Sequence, residues 1–156
     1  MSDDWKKTTV RCGMGIMVLN DSGQVLLGLR NSDAEKASSE LNGEGTWTFP
    51  GGKFDFGDDL FSGAARELKE ETNLDMDIAA ADIISISNEK TENAHFFTVG
   101  FLAKKWSGEL KTMEPEEITQ WCWFDFNALP ANIYKPTVKF IKNYKDGRLV
   151  SAAEHI

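Results

Sequence analysis

The sequence predicts a mixed α+β domain in which a β-sheet is covered by helices. Three observations carry that prediction. Short apolar runs bounded by turn clusters recur along the chain, helical apolar periods cover 59–72 and 136–144, and the two kinds of element do not alternate strictly as βαβ units would. At 156 residues, with no internal repeat, low-complexity tract or Pro/Gly/Ser-rich linker, the chain is expected to form one domain over 1–156.

Gly13 to Leu19 and Gln24 to Arg30 are apolar runs separated by Asn20-Asp-Ser-Gly23, and they read as two paired strands joined by a tight turn. Asn31 to Gly45 is polar and aperiodic, the pattern of a surface loop. Thr46 to Pro50 is a brief strand ending at Pro50-Gly51-Gly52, where proline fixes φ and the glycines open backbone conformations closed to other residues. From Asp59 to Thr72 the apolar residues Leu60, Ala64 and Leu68 recur every four positions, widened by Phe61 and Ala65, with Asp58 or Asp59 as N-cap and Asn73 at the left-handed C-terminal position. Asp82 to Ser87 and His95 to Ala103 read as strands around the polar turn 89–93, and Ile118 to Phe124 as another. Pro136 to Tyr144 reads as a second helix with Val138, Ile141 and Tyr144 on its apolar face, closed by Asp146-Gly147.

Composition narrows function. With 41% hydrophobic and 27% charged residues the chain has the balance of a soluble globular protein. It contains no apolar run of the roughly 20 residues a bilayer span needs, and no secretory h-region follows the N-terminal charges, so a cytoplasmic protein without a membrane partner is expected. Cys12 and Cys122 lie in apolar stretches and are expected to be reduced core residues. A net charge of -8 repels nucleic acid, anionic membranes and bare polyphosphate alike. An anionic substrate therefore needs a cation as intermediary.

Asp55, Asp58, Asp59, Glu67, Glu70 and Glu71 crowd one short segment. Glu67 and Glu71, four apart on the predicted helix, emerge on one face with Glu70 beside them, an arrangement that costs about a few tenths of a kcal/mol per pair unless a cation is bound. Mg²⁺ takes one or two carboxylates and keeps waters and substrate phosphates, so this face suits it. Arg66 is placed to hold a carboxylate by a charge-assisted hydrogen bond, and Gly51 and Gly52 let a backbone carbonyl approach the helix. A solvated acidic helix face preceded by a Gly-Gly turn explains the charge pattern equally well.

The run Gly52-Lys-Phe-Asp-Phe-Gly-Asp58-Asp-Leu-Phe-Ser-Gly-Ala-Ala-Arg66-Glu67-Leu68-Lys-Glu70-Glu71-Thr-Asn73-Leu74 resembles the Nudix box, G-x5-E-x7-R-E-U-x-E-E-x-G-U with U a bulky aliphatic residue. Every spacing matches; Asp58 stands in place of Glu and Asn73 in place of Gly, the latter a mild change because Asn tolerates positive φ. Gly43-Glu-Gly-Thr-Trp47-Thr-Phe-Pro50-Gly-Gly is similar to the lead-in of a MutT-like subgroup. Gly13 to Arg30 resembles its first hairpin, and Glu114-Pro-Glu-Glu117 with Trp121-Cys-Trp123 resembles its late segment, so the likeness covers roughly 11–130.

The resemblance implies the Nudix fold, an αβα sandwich around a mixed parallel and antiparallel sheet, and hydrolysis of a nucleoside diphosphate linked to a further group. It implies Mg²⁺, with Mn²⁺ as substitute, held by Glu67, Glu71, Glu70 and a carbonyl of Gly51 or Gly52, with Asp58 in support and Arg66 as the orienting residue. It also implies a general base. Thr119 occupies the place where related sequences carry a late Glu, which leaves Glu117, Glu114, Glu116 or Glu67 itself for that role. Arg30, Lys53 and Trp47 are the candidate substrate-binding residues, while His95, Phe54, Phe97, Trp121 and Trp123 read more readily as structural, and Lys135, Lys139, Lys142 and Lys145 as a solvated helix face.

The substrate expected is a (deoxy)nucleoside triphosphate, standard or oxidised, cleaved to monophosphate and pyrophosphate, with no nucleic-acid partner. ADP-ribose or nucleotide-sugar hydrolysis is the alternative; the absence of Pro between Pro50 and Pro115, and of Tyr before Tyr134, favours the triphosphate. A non-catalytic nucleotide-binding module is a remoter reading, opposed by the intact Arg66, Glu67 and Glu71. Similar proteins are often homodimers, and a homodimer is the assembly expected.

Overall fold

The computed structural model describes residues 4, 8–37, 41 and 43–151. Its elements are β1 (Val10–Val18), β2 (Val25–Arg30), α1 (Ala34–Ala37), β3 (Trp47–Thr48), β4 (Gly51–Lys53), α2 (Leu60–Thr72), β5 (Asp75–Met76), a 3-10 turn Ile78–Ala80, β6 (Asp82–Lys90), β7 (His95–Ala103), β8 (Trp106–Ser107), β9 (Ile118–Phe124) and α3 (Lys135–Asp146). Sheets of order β4-β1-β7-β6 and β3-β2-β9 accompany a two-stranded β5-β8 ribbon. β1 runs parallel to β7 and the remaining pairs are antiparallel, so the mixed sheet expected from the sequence is present. Among the described residues no helix is long and apolar enough to cross a membrane.

β1 explains the layering. Its side chains alternate across the sheet. Met14, Ile16 and Val18 join Ala64 and Leu68 of α2 in one core cluster, whereas Met17 joins Phe140 and Ile141 of α3 in the other. The sheet is thus packed between α2 and α3. Phe140 sits over strand positions without side chains: a Cβ at Gly100 would lie 2.3 Å from its ring, and one at Gly15 3.6 Å. The helix approaches closely because those two residues are glycines.

Several expectations need correction. β1 and β2 do not form a hairpin. The Asn20–Gly23 turn is as read, with Asn20 Oδ1 accepting the N–H groups of Ser22 and Gln24 and Gly23 at φ 75°, yet the strands meet only at the Leu19–Val25 bridge. Both edges of β1 are occupied by β4 and β7, and β2 pairs instead with β3 and β9. The stretch Thr46 to Pro50 splits at proline, which cannot donate to a ladder, into β3 and β4. Within the expected loop 31–45, of which 38–40 and 42 lie outside the described residues, the short helix α1 forms, and β6 extends three residues past Ser87.

In α3 the buried face is Pro136, Thr137, Phe140 and Ile141, while Val138 is 48% exposed and Tyr144 lies at the margin, stacked on Phe126. In α2, Leu60 is half exposed because the first turn overhangs the core, and Phe61 packs edge-on to Phe101 in its place. Phe97 is largely exposed, and Cys12 and Cys122 are free but only part-buried rather than core residues. Lys139 is not simply solvated: its Nζ lies 3.1 Å from the buried Glu89 carboxylate and donates to the Asn88 carbonyl.

Candidate active site

The loop before α2 is shaped by a turn in which Asp58 N–H donates to the Asp55 carbonyl and Gly57 takes φ 89°. Asp59 is the extended N-cap residue, without a side-chain capping bond, and Asn73 closes the helix at φ 66° with its N–H on the Lys69 carbonyl. Ala64 and Leu68 anchor the inner face. That anchoring leaves Arg66, Glu67, Glu70 and Glu71 on the flank, and the three glutamates line a cavity of about 420 Å³.

Glycines set how closely β4 approaches them. A Cβ on Gly51 would lie 2.1 Å from the Met14 carbonyl oxygen of β1, and one on Gly52 would lie 2.8 Å from the Glu67 carboxyl. Gly51 N–H donates to Glu71 Oε2 at 3.2 Å. The backbone of β4 is therefore seated against both carboxylates.

Electrostatics follow from that seating. Desolvation, opposed by Arg66 and reinforced by the charges of Glu70 and Glu114, pushes Glu67 up to about 7. Desolvation also raises Glu71 well above the usual carboxylate range; the Gly51 hydrogen bond and Arg30 oppose the shift, and Glu67 and Glu114 add to it. Glu114, raised by desolvation and by Glu117 and Glu70, lines the cavity together with Glu117 from the loop before β9. That loop is fixed by Glu117 N–H on the Glu114 carbonyl and by Asn31 N–H on the Glu117 carbonyl.

Arg66 ties the cluster together. Its Nη2 lies 2.9 Å from Asp58 and 3.4 Å from Asp55, and its Nη1 lies 3.3 Å from both Glu67 and Glu70. Although burial works against its charge, hydrogen bonds to Glu70 and Asp58 hold the guanidinium pKa above its ordinary value. Asp58 is lowered, first by the Asp55 N–H bond and further by Arg66. The structure places Asp58 behind Arg66, outside the cavity wall.

The other expected residues divide. Arg30 lines the cavity, donates to the Ala37 carbonyl and lies 5.1 Å from the Tyr134 ring; Lys53 lines it too. Trp47 does not: its ring packs edge-on to Phe124, and its backbone carbonyl receives the Tyr134 N–H. Glu116 and Thr119 stay outside, the former through its carbonyl on Asn31 Nδ2, the latter donating to the Leu29 carbonyl. His95 pairs with Asn88 Oδ1 at 2.6 Å, away from the carboxylates. Phe96, Thr98, Tyr134, Thr137 and Phe140 line the cavity without having been singled out. Only alternate glycines, Gly13 and Gly15, hinted that this strand face lies open.

Among the described residues no three carboxylate, imidazole or thiol groups converge as a preformed metal cage. The donor chemistry nevertheless fits a hard divalent cation. It is all oxygen, and beyond desolvation the carboxylates crowd one another: Glu70 and Glu114 raise Glu67, Glu67 and Glu114 raise Glu71, and Glu117 and Glu70 raise Glu114, a repulsion that a cation removes.

A sequence model of the NUDIX domain matches residues 10–144. The chain belongs to the NUDIX family. It is a family of hydrolases acting on pyrophosphate bonds, generally with divalent metal ions. An RNA pyrophosphohydrolase of Novosphingobium aromaticivorans is 25% identical over 83% of this chain and 86% of the relative. Nudix hydrolase 2 of Arabidopsis thaliana is 31% identical over 86% of this chain, which spans only 44% of that protein. Among solved structures, a MutT NUDIX hydrolase from Burkholderia pseudomallei superposes with a TM-score of 0.75 at 25% identity, covering 86% of this chain and 98% of the other. A MutT protein from Methanosarcina mazei, at TM-score 0.67 and 23% identity, covering 88% and 94%, shares the fold.

Proposed function

We propose that this NUDIX hydrolase cleaves the diphosphate linkage of (deoxy)nucleoside triphosphates to a monophosphate and pyrophosphate, using Mg²⁺. The observation that carries the reading is the seating of Gly51 and Gly52 against Glu71 and Glu67 beside Arg30 in one cavity of nucleotide size. Glu67, Glu71, Glu70 and the Gly51 or Gly52 carbonyl would hold the cation, which when bound supplies charge neutralisation at the phosphate oxygens and a more acidic water. Arg66 positions Glu67 and Glu70, and Asp58 acts through Arg66. Arg30 binds a phosphate of the substrate. Glu117 accepts the proton of the attacking water, with Glu114, on the same wall, its competitor. The enzyme works in the cytoplasm as a homodimer.

Removal of pyrophosphate from the 5′ end of RNA is a second reading, favoured by relatives named RNA pyrophosphohydrolase. The deciding assay follows phosphate and pyrophosphate release with Mg²⁺ from standard and oxidised (d)NTPs, ADP-ribose, dinucleoside polyphosphates and 5′-triphosphorylated RNA. Pyrophosphate from free triphosphates is the expected result. Turnover of ADP-ribose or RNA alone overturns it.

A further inference from the structure

Two of the cavity's carboxylates, Glu114 and Glu117, come from a stretch with no helix or strand of its own. Between β8, which ends at Ser107, and β9, which starts at Ile118, the backbone is irregular, yet both side chains line the same cavity as Glu67, Glu70 and Glu71. A reactive group on such a loop keeps its place only if the backbone that carries it is tied to a rigid scaffold.

The near end is tied to α2. Lys111 and Met113 donate their N–H groups to the carbonyls of Thr72 and Glu71, last-turn acceptors that have no partner within the helix. Gly108, at φ 99°, permits the approach, since a Cβ there would lie 2.9 Å from the Asn73 carbonyl oxygen. The Asn73 side chain adds a further bond, its Nδ2 donating to the Glu109 carbonyl at 3.0 Å. Glycine, the residue of the Nudix box at this position, would supply the left-handed cap but not that bond. Asparagine supplies both.

The far end is tied to Asn31, the residue after Arg30. The loop turns back on itself there, with the N–H groups of Glu117 and Ile118 on the Glu114 carbonyl. Asn31 donates its backbone N–H to the Glu117 carbonyl at 2.8 Å and its Nδ2 to the Glu116 carbonyl at 2.8 Å. Those two carbonyls belong to the planar peptide groups on either side of the Glu117 Cα, so the pair fixes φ and ψ at Glu117 and with them the direction in which its side chain leaves the backbone. Asn31 is itself held, its Oδ1 accepting the Asp33 N–H and its carbonyl the Gly45 N–H. Glu116 is exposed whereas Glu117 is half-buried on the cavity wall.

We infer that Asn31 and Asn73 are positioning residues that hold the acidic loop 108–117 at its two ends, Asn31 aiming the Glu117 carboxylate and Asn73 setting the course of the chain toward Glu114, on the proposed reading of Glu117 as the proton acceptor. A displacement near 1 Å at a reacting centre costs about 100-fold. Loss of one amide among several ties permits a smaller shift and a correspondingly smaller loss.

A double-mutant cycle read by steady-state kinetics, with the full chain, Mg²⁺ and a deoxynucleoside triphosphate, tests this. Asn31→Ala should lower kcat about tenfold and leave KM within about twofold. Asn73→Gly should lower kcat about threefold with Tm held, because glycine keeps the left-handed cap. In the Glu117→Gln background Asn31→Ala should cost less than about twofold, since a carboxylate that is absent cannot be misplaced. Unchanged kcat in either single variant, a loss confined to KM, or an equal loss from Asn31→Ala with and without Glu117 overturns the inference. Absence of triphosphate turnover by wild type sinks the proposed function instead, and the same cycle on the substrate that is turned over still decides the positioning role.

Discussion

Gly52→Ala is the substitution from which the geometry of the carboxylate cluster makes its sharpest demand. The added Cβ would stand 2.8 Å from the Glu67 carboxyl, and ordinary contact begins near 3.4 Å, so the carboxyl must retreat by about 0.6 Å. A side-chain end can move that far without unfolding the protein, so stability should change by less than about 1 kcal/mol. Chemistry is less tolerant, because a displacement near 1 Å at a reacting centre costs about 100-fold. A fall in kcat of about 10- to 100-fold with a nearly unchanged Tm is expected, together with a weaker Mg²⁺ requirement curve. Gly51→Ala is the control. Its Cβ would meet backbone, 2.1 Å from the Met14 carbonyl oxygen and 3.2 Å from the Gly15 Cα, and β1 cannot retreat without breaking its pairing to β7. That variant should lose about 3 kcal/mol or more of stability, at or beyond the upper end for overpacking. Steady-state kinetics and thermal denaturation of the two proteins side by side decide the matter. If Gly52→Ala retains full activity, or loses as much stability as Gly51→Ala, the claim that β4 is seated against a working Glu67 is wrong.

Other perturbations probe the same cluster. In chelator, the folded Glu67 titrates at about 7 against an ordinary value of 4.5, so the folded state retains a proton that the unfolded chain has released. That stabilisation is complete below about 4.5 and is lost as pH rises through about 7; Glu71, shifted the same way, adds to the loss. The metal-free Tm should therefore fall by a few degrees between pH 5 and 8, and the Tm gain on adding Mg²⁺ should grow with pH; a flat or opposite profile contradicts the assignment. Asp58→Asn weakens the 2.9 Å contact to Arg66 and should lower kcat/KM about tenfold, about 1.4 kcal/mol, with Asp58→Glu restoring it. Failure of the glutamate to rescue would deny Asp58 its positioning role. Of Glu117→Gln and Glu114→Gln, the former should lower kcat by about 100-fold or more while the latter costs far less; the reverse result exchanges their roles.

What was legible in the sequence was local. The four-residue spacing of Glu67 and Glu71 on a helix and the left-handed Asn73 depend on neighbours within one turn, and both are as expected; for Gly51 and Gly52 the sequence showed only the backbone freedom, and their seating against Glu71 and Glu67 joins segments 15 to 20 residues apart. What was hidden depends on distant pairings. β1 lies parallel to β7, some 85 residues away, and only that pairing puts Phe96 and Thr98 beside Gly13. The apolar run Gly13 to Leu19 says that it is a strand but not which neighbour it takes, and the turn at Asn20 suggested the wrong one. α3 misled in a similar way. Val138 and Phe140 are both apolar, and the choice of Phe140 as the buried residue is made by Gly15 and Gly100 on other elements. Trp47 was a candidate substrate-binding residue as an aromatic able to stack on a base, yet its ring packs edge-on to Phe124. Asp58 could be placed next to Arg66 only once the turn at Gly57 had folded the loop back over eight residues.

The central claim is that Glu71 and Glu67, with a divalent cation, direct water to a phosphoanhydride so that pyrophosphate leaves. Phosphorus NMR of a deoxynucleoside triphosphate incubated with Mg²⁺ and either wild type or Glu71→Gln reads it directly. Wild type should yield monophosphate and pyrophosphate in equal amounts, while Glu71→Gln, folded as well as wild type, should be slower by about 100-fold or more. Nucleoside diphosphate and inorganic phosphate as products, or undiminished turnover by Glu71→Gln, would contradict the account.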